Sequence, residues 1–118
     1  MSVALMFDYP NADSPEEDDG RLSPVSTEEI FLSYWLPVIE KEGYAWLPIM
    51  NVGIDFDPEN LPEVLDELRQ LQSAFPRYYT PDHEYYEYIT RRITNLIVEL
   101  EAINPDELTS GKLKLFLG

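Results

Sequence analysis

The sequence predicts an α+β fold, in which a small antiparallel or mixed sheet carries about three helices on one face. Short apolar runs at residues 3–7 and 112–117 suit strands at the two ends of the chain. Three segments between them repeat apolar residues at helical spacing. With 118 residues the chain fits a single domain, 1–118. The predicted order of elements is β-α-β-α-α-β.

The first predicted strand is followed by a stretch that opposes regular structure. Residues 8–24 contain three prolines, one glycine and an acidic run. Prolines and adjacent like charges are typical of solvated loops. We therefore predict a mobile acidic loop over residues 8–24. Its acidic run is Glu16, Glu17, Asp18 and Asp19.

The first helix has clear start and stop signals. Ser26 is a good N-cap, and Glu29 three residues later completes a capping box. Pro37 lies inside the helical pattern and is expected to kink or break it, because its nitrogen cannot donate. Gly43 is a natural stop.

Residues 45–50 and 53–56 are rich in strand-compatible side chains and predict two strands or one bulged strand. Pro48 cannot donate to a ladder, which indicates an edge or a bulge.

Two more helices follow. The second runs from about residue 58 or 61 to residue 75, and Pro76 ends it. Glu63, Glu67 and Gln70 lie off its apolar stripe, which is Leu61, Val64, Leu65, Leu68, Leu71 and Phe75. The third is capped by Thr80, has Pro81 at its first position and stops at residues 104–105. Its apolar stripe predicts the core face of a globular helix rather than a coiled-coil seam. That stripe is Tyr86, Ile89, Ile93, Leu96, Leu100 and Ile103.

Motifs that would indicate catalysis or a cofactor are missing from the sequence. It has no Gly-rich phosphate loop, no nucleophile elbow and no zinc-binding helix motif. His83 is the single histidine and is interpreted as a surface residue. An EF-hand interpretation of the acidic run fails, because it places Pro15 and Ser26 at the first and last ligand positions. We predict no enzyme activity, no cofactor and no metal site.

The charge is strongly negative and uneven. Asp and Glu number 23 against 8 Lys and Arg, for a net charge of −15. Residues 1–60 hold 13 of the acids and 2 of the bases. Such a field repels nucleic acid and anionic membranes and speeds encounter with a basic protein, although acidity can also serve solubility alone. Without cysteine, a secretory signal or a long apolar span, the expected location is the cytoplasm.

Candidate partner contacts combine loop acids with exposed aromatic residues. Asp55 and Glu59 flank a predicted strand-to-helix turn, where Asp57 is interpreted mainly as a cap. Tyr78 and Tyr79 belong to a tyrosine cluster, and tyrosine is frequent at interface hot spots. The full predicted set is Glu16, Glu17, Asp18, Asp19, Asp55, Glu59, Tyr78 and Tyr79.

The middle of the chain resembles a group of small acidic bacterial proteins. The similarity covers about residues 26–75 and depends on the spacing of segments 31–37, 43–48, 53–56 and 61–68. Some of the similar proteins are immunity proteins, which neutralise a cognate polymorphic or contact-delivered toxin. The resemblance implies a toxin partner, no cofactor and no catalysis, and it transfers no particular functional residue.

Two other functions remain open from the sequence. An acidic nucleic-acid mimic could block a DNA-binding enzyme, as anti-restriction or anti-CRISPR proteins do, but it would need unbroken rows of carboxylates. The arginines of the second half interrupt such rows. A homo-oligomeric module could instead pair its third helix with that of its own copy, as a homodimer.

Overall fold

The computed structural model describes residues 2–9 and 21–118, and it confirms the α+β class. Its four-stranded sheet is antiparallel, in the order β2-β1-β4-β3. The strands are β1 (Ser2–Asp8), β2 (Leu22–Thr27), β3 (Ile54–Asp55) and β4 (Lys114–Leu117). The helices are α1 (Glu28–Ile30), α2 (Leu36–Glu42), α3 (Asn60–Ala74), α4 (Tyr86–Glu101) and α5 (Pro105–Thr109), with a π-helical turn at Phe31–Trp35 and 3₁₀ turns at Leu47–Ile49 and Phe75–Arg77.

Strand β2 is the main departure from the predicted order, since residues 22–24 were expected in the acidic loop. It pairs antiparallel with β1, and a register shift lies between Val3 and Ala4. The sequence signal was weak because β2 is an edge strand with polar residues and a proline, which an edge tolerates. Asp8, the first residue of the predicted loop, is the last residue of β1, and residues 10–20 of that loop lie outside the described part of the chain.

The sheet has one face toward the helices and one toward solvent. Leu5 and Phe7 are buried, whereas Met6 between them is 37% exposed. The predicted closing strand is confirmed as β4, which pairs with β1 so that Leu5 lies opposite Leu117. The hydrophobic core therefore lies between one sheet face and the helices, as predicted.

The first helix begins one residue later than predicted. Strand β2 continues through Ser26, which is buried, so the last extended residue is Thr27. The Thr27 hydroxyl accepts the N–H of Ile30 at 3.1 Å, and the predicted capping box does not form. Gly43 ends α2 in the left-handed conformation, with φ of 78°, as predicted.

Pro37 does not break the helix, because a π-helical turn precedes it. The N–H of Leu36 bonds to the carbonyl of Phe31, five residues back. Pro37 then falls in the first turn of α2, where a missing donor costs little. Residues 28–42 consequently run as α1, π turn and α2 in succession.

The prediction of a strand at residues 45–50 is wrong. Leu47–Ile49 is a 3₁₀ turn with Pro48 near its start, where proline needs no donor. The second part of the prediction holds, because β3 lies within residues 53–56. The strand-like composition of 45–50 reflects burial of Leu47 and Met50 rather than sheet pairing.

Helices α3 and α4 form the main helical layer. The apolar stripe predicted for α3 is buried throughout: Leu61, Val64, Leu65, Leu68, Leu71 and, just beyond, Phe75. Helix α4 starts at Tyr86, not at Thr80, because residues 80–85 form turns with bonds such as His83 N–H to the Thr80 carbonyl at 2.9 Å. Its predicted stripe faces the core through Ile89, Ile93, Leu96 and Leu100.

Candidate partner-binding surface

The structure divides the predicted contact residues into separate groups. Asp55 and Glu59 precede α3, whereas Tyr78 and Tyr79 follow it. Because α3 has 15 residues, each with a rise of about 1.5 Å, the two groups lie roughly 20 Å apart. The four loop acids lie outside the described residues: Glu16, Glu17, Asp18 and Asp19.

The turn before α3 is a hydrogen-bonded network. One carboxylate oxygen of Asp57 accepts the N–H groups of Glu59 and Asn60, each at 2.8 Å, so Asp57 caps the turn. Asn60 is 5% exposed; its amide accepts the Asp57 N–H at 2.9 Å and donates to the Asp55 carbonyl at 2.8 Å. The side chains of Asp55 and Glu59 are exposed and form no ion pair within the described residues.

Tyr78 joins the end of α2 to the end of α3. Its hydroxyl donates to the Glu42 carboxylate at 2.8 Å, and this hydrogen bond raises the pKa of Tyr78. Arg77 bonds to the other oxygen of Glu42 at 2.8 Å, and the Lys41 ammonium lies 5.7 Å from the Tyr78 ring centroid. The polar end of Tyr78 is therefore used inside the fold.

Tyr79 lies in a partly buried group that we call the His83 aromatic cluster: Tyr34, Tyr79, His83 and Tyr85. The ring centroids of Tyr34 and Tyr79 lie 5.2 and 5.1 Å from that of His83. The His83 Nδ1 atom accepts the N–H of Tyr85 at 3.2 Å. His83, expected at the surface, is thus packed among rings that join the π turn to the α3–α4 connection.

Two carboxylates of α3 hold the segment before the 3₁₀ turn. Glu67 accepts three successive backbone N–H groups, from Ala45 at 3.3 Å, Trp46 at 2.9 Å and Leu47 at 3.1 Å. Glu63 accepts the indole N–H of Trp46 at 2.9 Å. A carboxylate suits this position because the first N–H groups of a helical turn have no partner within it.

A groove of about 440 Å³ lies between this segment and α3, and we call it the carboxylate groove. Four of its lining residues are acids: Glu42, Glu63, Asp66 and Glu67. Two aromatic side chains, Tyr44 and Trp46, also line it, and no lysine or arginine does. The Tyr44 hydroxyl is buried without a hydrogen-bond partner among the described residues. Burial, with a smaller contribution from the Glu42 charge, raises the pKa of Tyr44.

Sequence reasoning did not find this groove. Glu63, Glu67 and Gln70 were recognised as lying off the apolar stripe of α3, which is the usual pattern of a solvated helix face. No local pattern shows that Trp46, some 20 residues earlier, folds onto that face. That information is in the tertiary hydrogen bonds of Glu63 and Glu67.

Among the described residues, the basic and the acidic side chains differ in how many of them form contacts within the fold. All eight Lys and Arg residues are described, and five of the 23 acids lie in residues 10–20, which leaves 18 described acids. Each arginine has an intramolecular contact: three form ion pairs, Arg92 donates to the Pro24 carbonyl at 2.7 Å, and Arg21 lies over the Phe7 ring. Three of the 18 acids form ion pairs: Glu42, Glu87 and Glu101.

Three further findings bear on the class of site. Within residues 2–9 and 21–118, no three histidine or carboxylate side chains are arranged to hold a metal ion. No helix in the same ranges combines the length and the apolar character that crossing a membrane requires. Comparisons with family models, curated proteins and solved structures find no match to this chain.

Proposed function

We propose that the protein binds a basic protein partner and neutralises its activity without catalysis. The observation that supports this proposal is the unequal use of charge. The arginines are engaged within the fold, while 15 of the 18 described acids form no ion pair in the described part of the chain. A surface with carboxylates to spare attracts a basic partner over long range and matches it at contact.

The specific form of the proposal is an immunity protein that acts in the cytoplasm against a cognate bacterial toxin. The resemblance over residues 26–75 supports this form. Such an inhibitor needs surface complementarity and no cofactor. The loop acids, Asp55 and Glu59 remain candidate contacts, together with Tyr79 in the His83 aromatic cluster.

The test is affinity purification of the tagged protein from its native cells at low salt, with mass spectrometry of the bound proteins. We expect one stoichiometric basic protein that is released as the salt concentration rises. The purified pair is then mixed at several salt concentrations, and the association rate should fall with salt. Recovery of no basic protein, or an association rate that is independent of salt, would contradict the proposal.

Toxin neutralisation is tested separately from binding. The captured partner is expressed, alone and together with this protein, in a host that contains neither of them. We expect growth arrest with the partner alone and recovery with both. Binding without recovery of growth would exclude an immunity protein and would support only binding to a basic partner.

A homo-oligomeric module is the second candidate, and the outer face of the sheet favours it. Leu22, Met6 and Phe116 lie side by side across β2, β1 and β4. Leu22 is 54% exposed there. Sedimentation equilibrium should show a dimer that Leu22→Ser dissociates, and a monomer at all concentrations would exclude this candidate. The nucleic-acid mimic is less favoured, because Arg69–Glu101 and Arg91–Glu87 ion pairs break the carboxylate rows.

A further inference from the structure

The carboxylate groove combines acidic and aromatic walls in one cavity. We propose that it receives a basic side chain of the protein partner, with arginine preferred over lysine. This inference rests on the proposed function, since it identifies where on this chain a basic partner would be held.

The groove has the size and the walls that a guanidinium group requires. Its volume of about 440 Å³ lies within the range of ligand sites in proteins. The Trp46 indole and the Tyr44 ring line it, and aromatic faces attract cations, arginine most often. A carboxylate beside an aromatic ring offers a guanidinium both an ion pair and a stacking surface.

The four acids of the groove differ in how far they are already used. Glu67 accepts three backbone N–H groups, and Glu42 bonds to Arg77 and Tyr78. Glu63 and Asp66 each accept one neutral donor, from Trp46 and Gln70 respectively. Because a carboxylate has about four acceptor positions, Glu63 and Asp66 keep room for further donors.

Glu63 and Asp66 are also placed to act together. They are three residues apart on α3, so they are neighbours on one helix face. Arginine carries five N–H donors in a rigid fork and can bond two acceptors at once, whereas lysine presents a point charge. This geometry favours arginine.

Tyr44 lines the groove through atoms other than its hydroxyl oxygen. The residue is half-buried, whereas the oxygen itself is inaccessible to solvent and has no hydrogen-bond partner among the described residues. A guanidinium that enters the groove would therefore meet aromatic side chains and the carboxylates of Glu63 and Asp66, and not this oxygen.

Trp46 provides a direct signal of occupancy. The protein has two tryptophans, and Trp35 is 0% exposed in the core. In a ¹H–¹⁵N spectrum at low salt, the full chain is titrated with a tetra-arginine peptide, and with tetra-lysine and tetra-glutamate peptides as comparisons. We expect a saturable shift of the Trp46 indole signal, assigned with Trp46→Phe, and an unchanged Trp35 signal. The arginine peptide should bind at least about threefold more tightly than the lysine peptide.

A charge-matched pair of variants separates the groove from the overall field. Glu63→Gln with Asp66→Asn should weaken peptide binding about tenfold, because two charge-assisted contacts become neutral. Glu84→Gln with Asp106→Asn removes the same charge at exposed sites outside the groove and should weaken it less than about twofold. The single variant Asp66→Asn serves as a second test if the double variant fails to fold.

Equal weakening by the two double variants, or a Trp46 signal that does not move, would overturn the groove proposal. The proposed function has its own test in the captured partner. If the groove variant binds that partner as tightly as the unmodified chain does, the groove proposal is wrong and the proposal of a basic partner is retained. If the unmodified chain captures no basic protein, the proposed function fails whatever the peptide shows.

Discussion

Substitution of Glu67 by alanine is expected to be the most informative perturbation of the segment that forms the groove. The Glu67 carboxylate accepts the N–H groups of Ala45, Trp46 and Leu47. Alanine removes all three acceptor contacts and leaves the helix itself intact, since alanine is the best helix former.

The expected loss of stability follows from which donors water can reach. The Ala45 N–H lies at an exposed contact, so water can replace the carboxylate there. The Trp46 and Leu47 N–H groups are part-buried, and each orphaned donor costs about 1–1.5 kcal/mol. Glu67→Ala should therefore lower the free energy of unfolding by about 2–3 kcal/mol, or the melting temperature by roughly 10 °C. Glu67→Gln keeps one acceptor oxygen and should cost about half as much.

Urea denaturation followed by circular dichroism measures the change, and tryptophan emission reports on the Trp46 environment. The matched control is Asp66→Ala, at the preceding position of α3, where the carboxylate accepts a hydrogen bond only from Gln70. We expect that control to stay within about 0.5 kcal/mol of the unmodified chain. A Glu67→Ala variant as stable as the Asp66→Ala variant would refute the role assigned to Glu67.

Three further predictions concern other parts of the fold. Gly53→Ala should lower the free energy of unfolding by about 1–3 kcal/mol in urea denaturation, because φ is 145° and a Cβ would lie 2.6 Å from the Phe116 ring. In a Phe116→Ala background the same substitution should cost less, by the part that is due to the clash, and an equal cost there would assign the whole effect to the backbone. Asn60→Ala should lower the free energy of unfolding by about 2–3 kcal/mol, because it leaves the Asp57 N–H and the Asp55 carbonyl unpaired. A loss below about 0.5 kcal/mol, as expected at an exposed site, would contradict that network. The third prediction concerns four tyrosines whose pKa values are raised in the fold. The folded chain binds their phenol protons more tightly than the unfolded chain does, so this contribution to the free energy of unfolding is complete below pH 10 and is lost as pH rises through the raised pKa values. Urea midpoints and absorbance at 295 nm should show this loss above pH 10, Tyr78→Phe should reduce it, and a flat profile to pH 11.5 would refute it. The tyrosines concerned are Tyr44, Tyr78, Tyr79 and Tyr85.

The sequence predicted the parts of the fold that depend on repeated local signals. The stripe of α3 was correct because six apolar residues repeat at helical spacing and all six are buried. The end of α2 was correct because Gly43 adopts a conformation that glycine favours. The class of the fold followed from these elements and from the apolar runs at the two ends of the chain.

The errors arose where tertiary contacts decide local structure. Strand β2 has little alternation and carries Pro24, and its pairing with β1 is not visible in its own residues. The segment 45–50 has the composition of a strand, but Glu67 collects its N–H groups and a 3₁₀ turn forms. Pro37 was expected to disturb the helix, and the preceding π turn accommodates it.

The candidate contacts show the same division. Asp57 could be assigned as a cap from its position before α3, because capping is a local property. Tyr78 could not be assigned, since its hydroxyl is used by Glu42, 36 residues earlier. The carboxylate groove was missed because it exists only where two segments distant in the sequence meet.

Two kinds of hydrogen-bonded acid can be distinguished among the described residues, and the distinction decides how the charge should be studied. Asp57 and Glu67 accept backbone N–H groups, so neutralising them changes the fold as well as the charge. Glu63 and Asp66 accept only neutral side-chain donors that an amide oxygen can also accept, so Gln and Asn there remove charge and leave the contacts in place. A variant that lowers the net charge at random would mix the two effects and would make solubility, stability and recognition inseparable. Neutralisation confined to Glu63 and Asp66 separates stability from binding, and comparison with the charge-matched Glu84 and Asp106 variant separates the groove from the overall field.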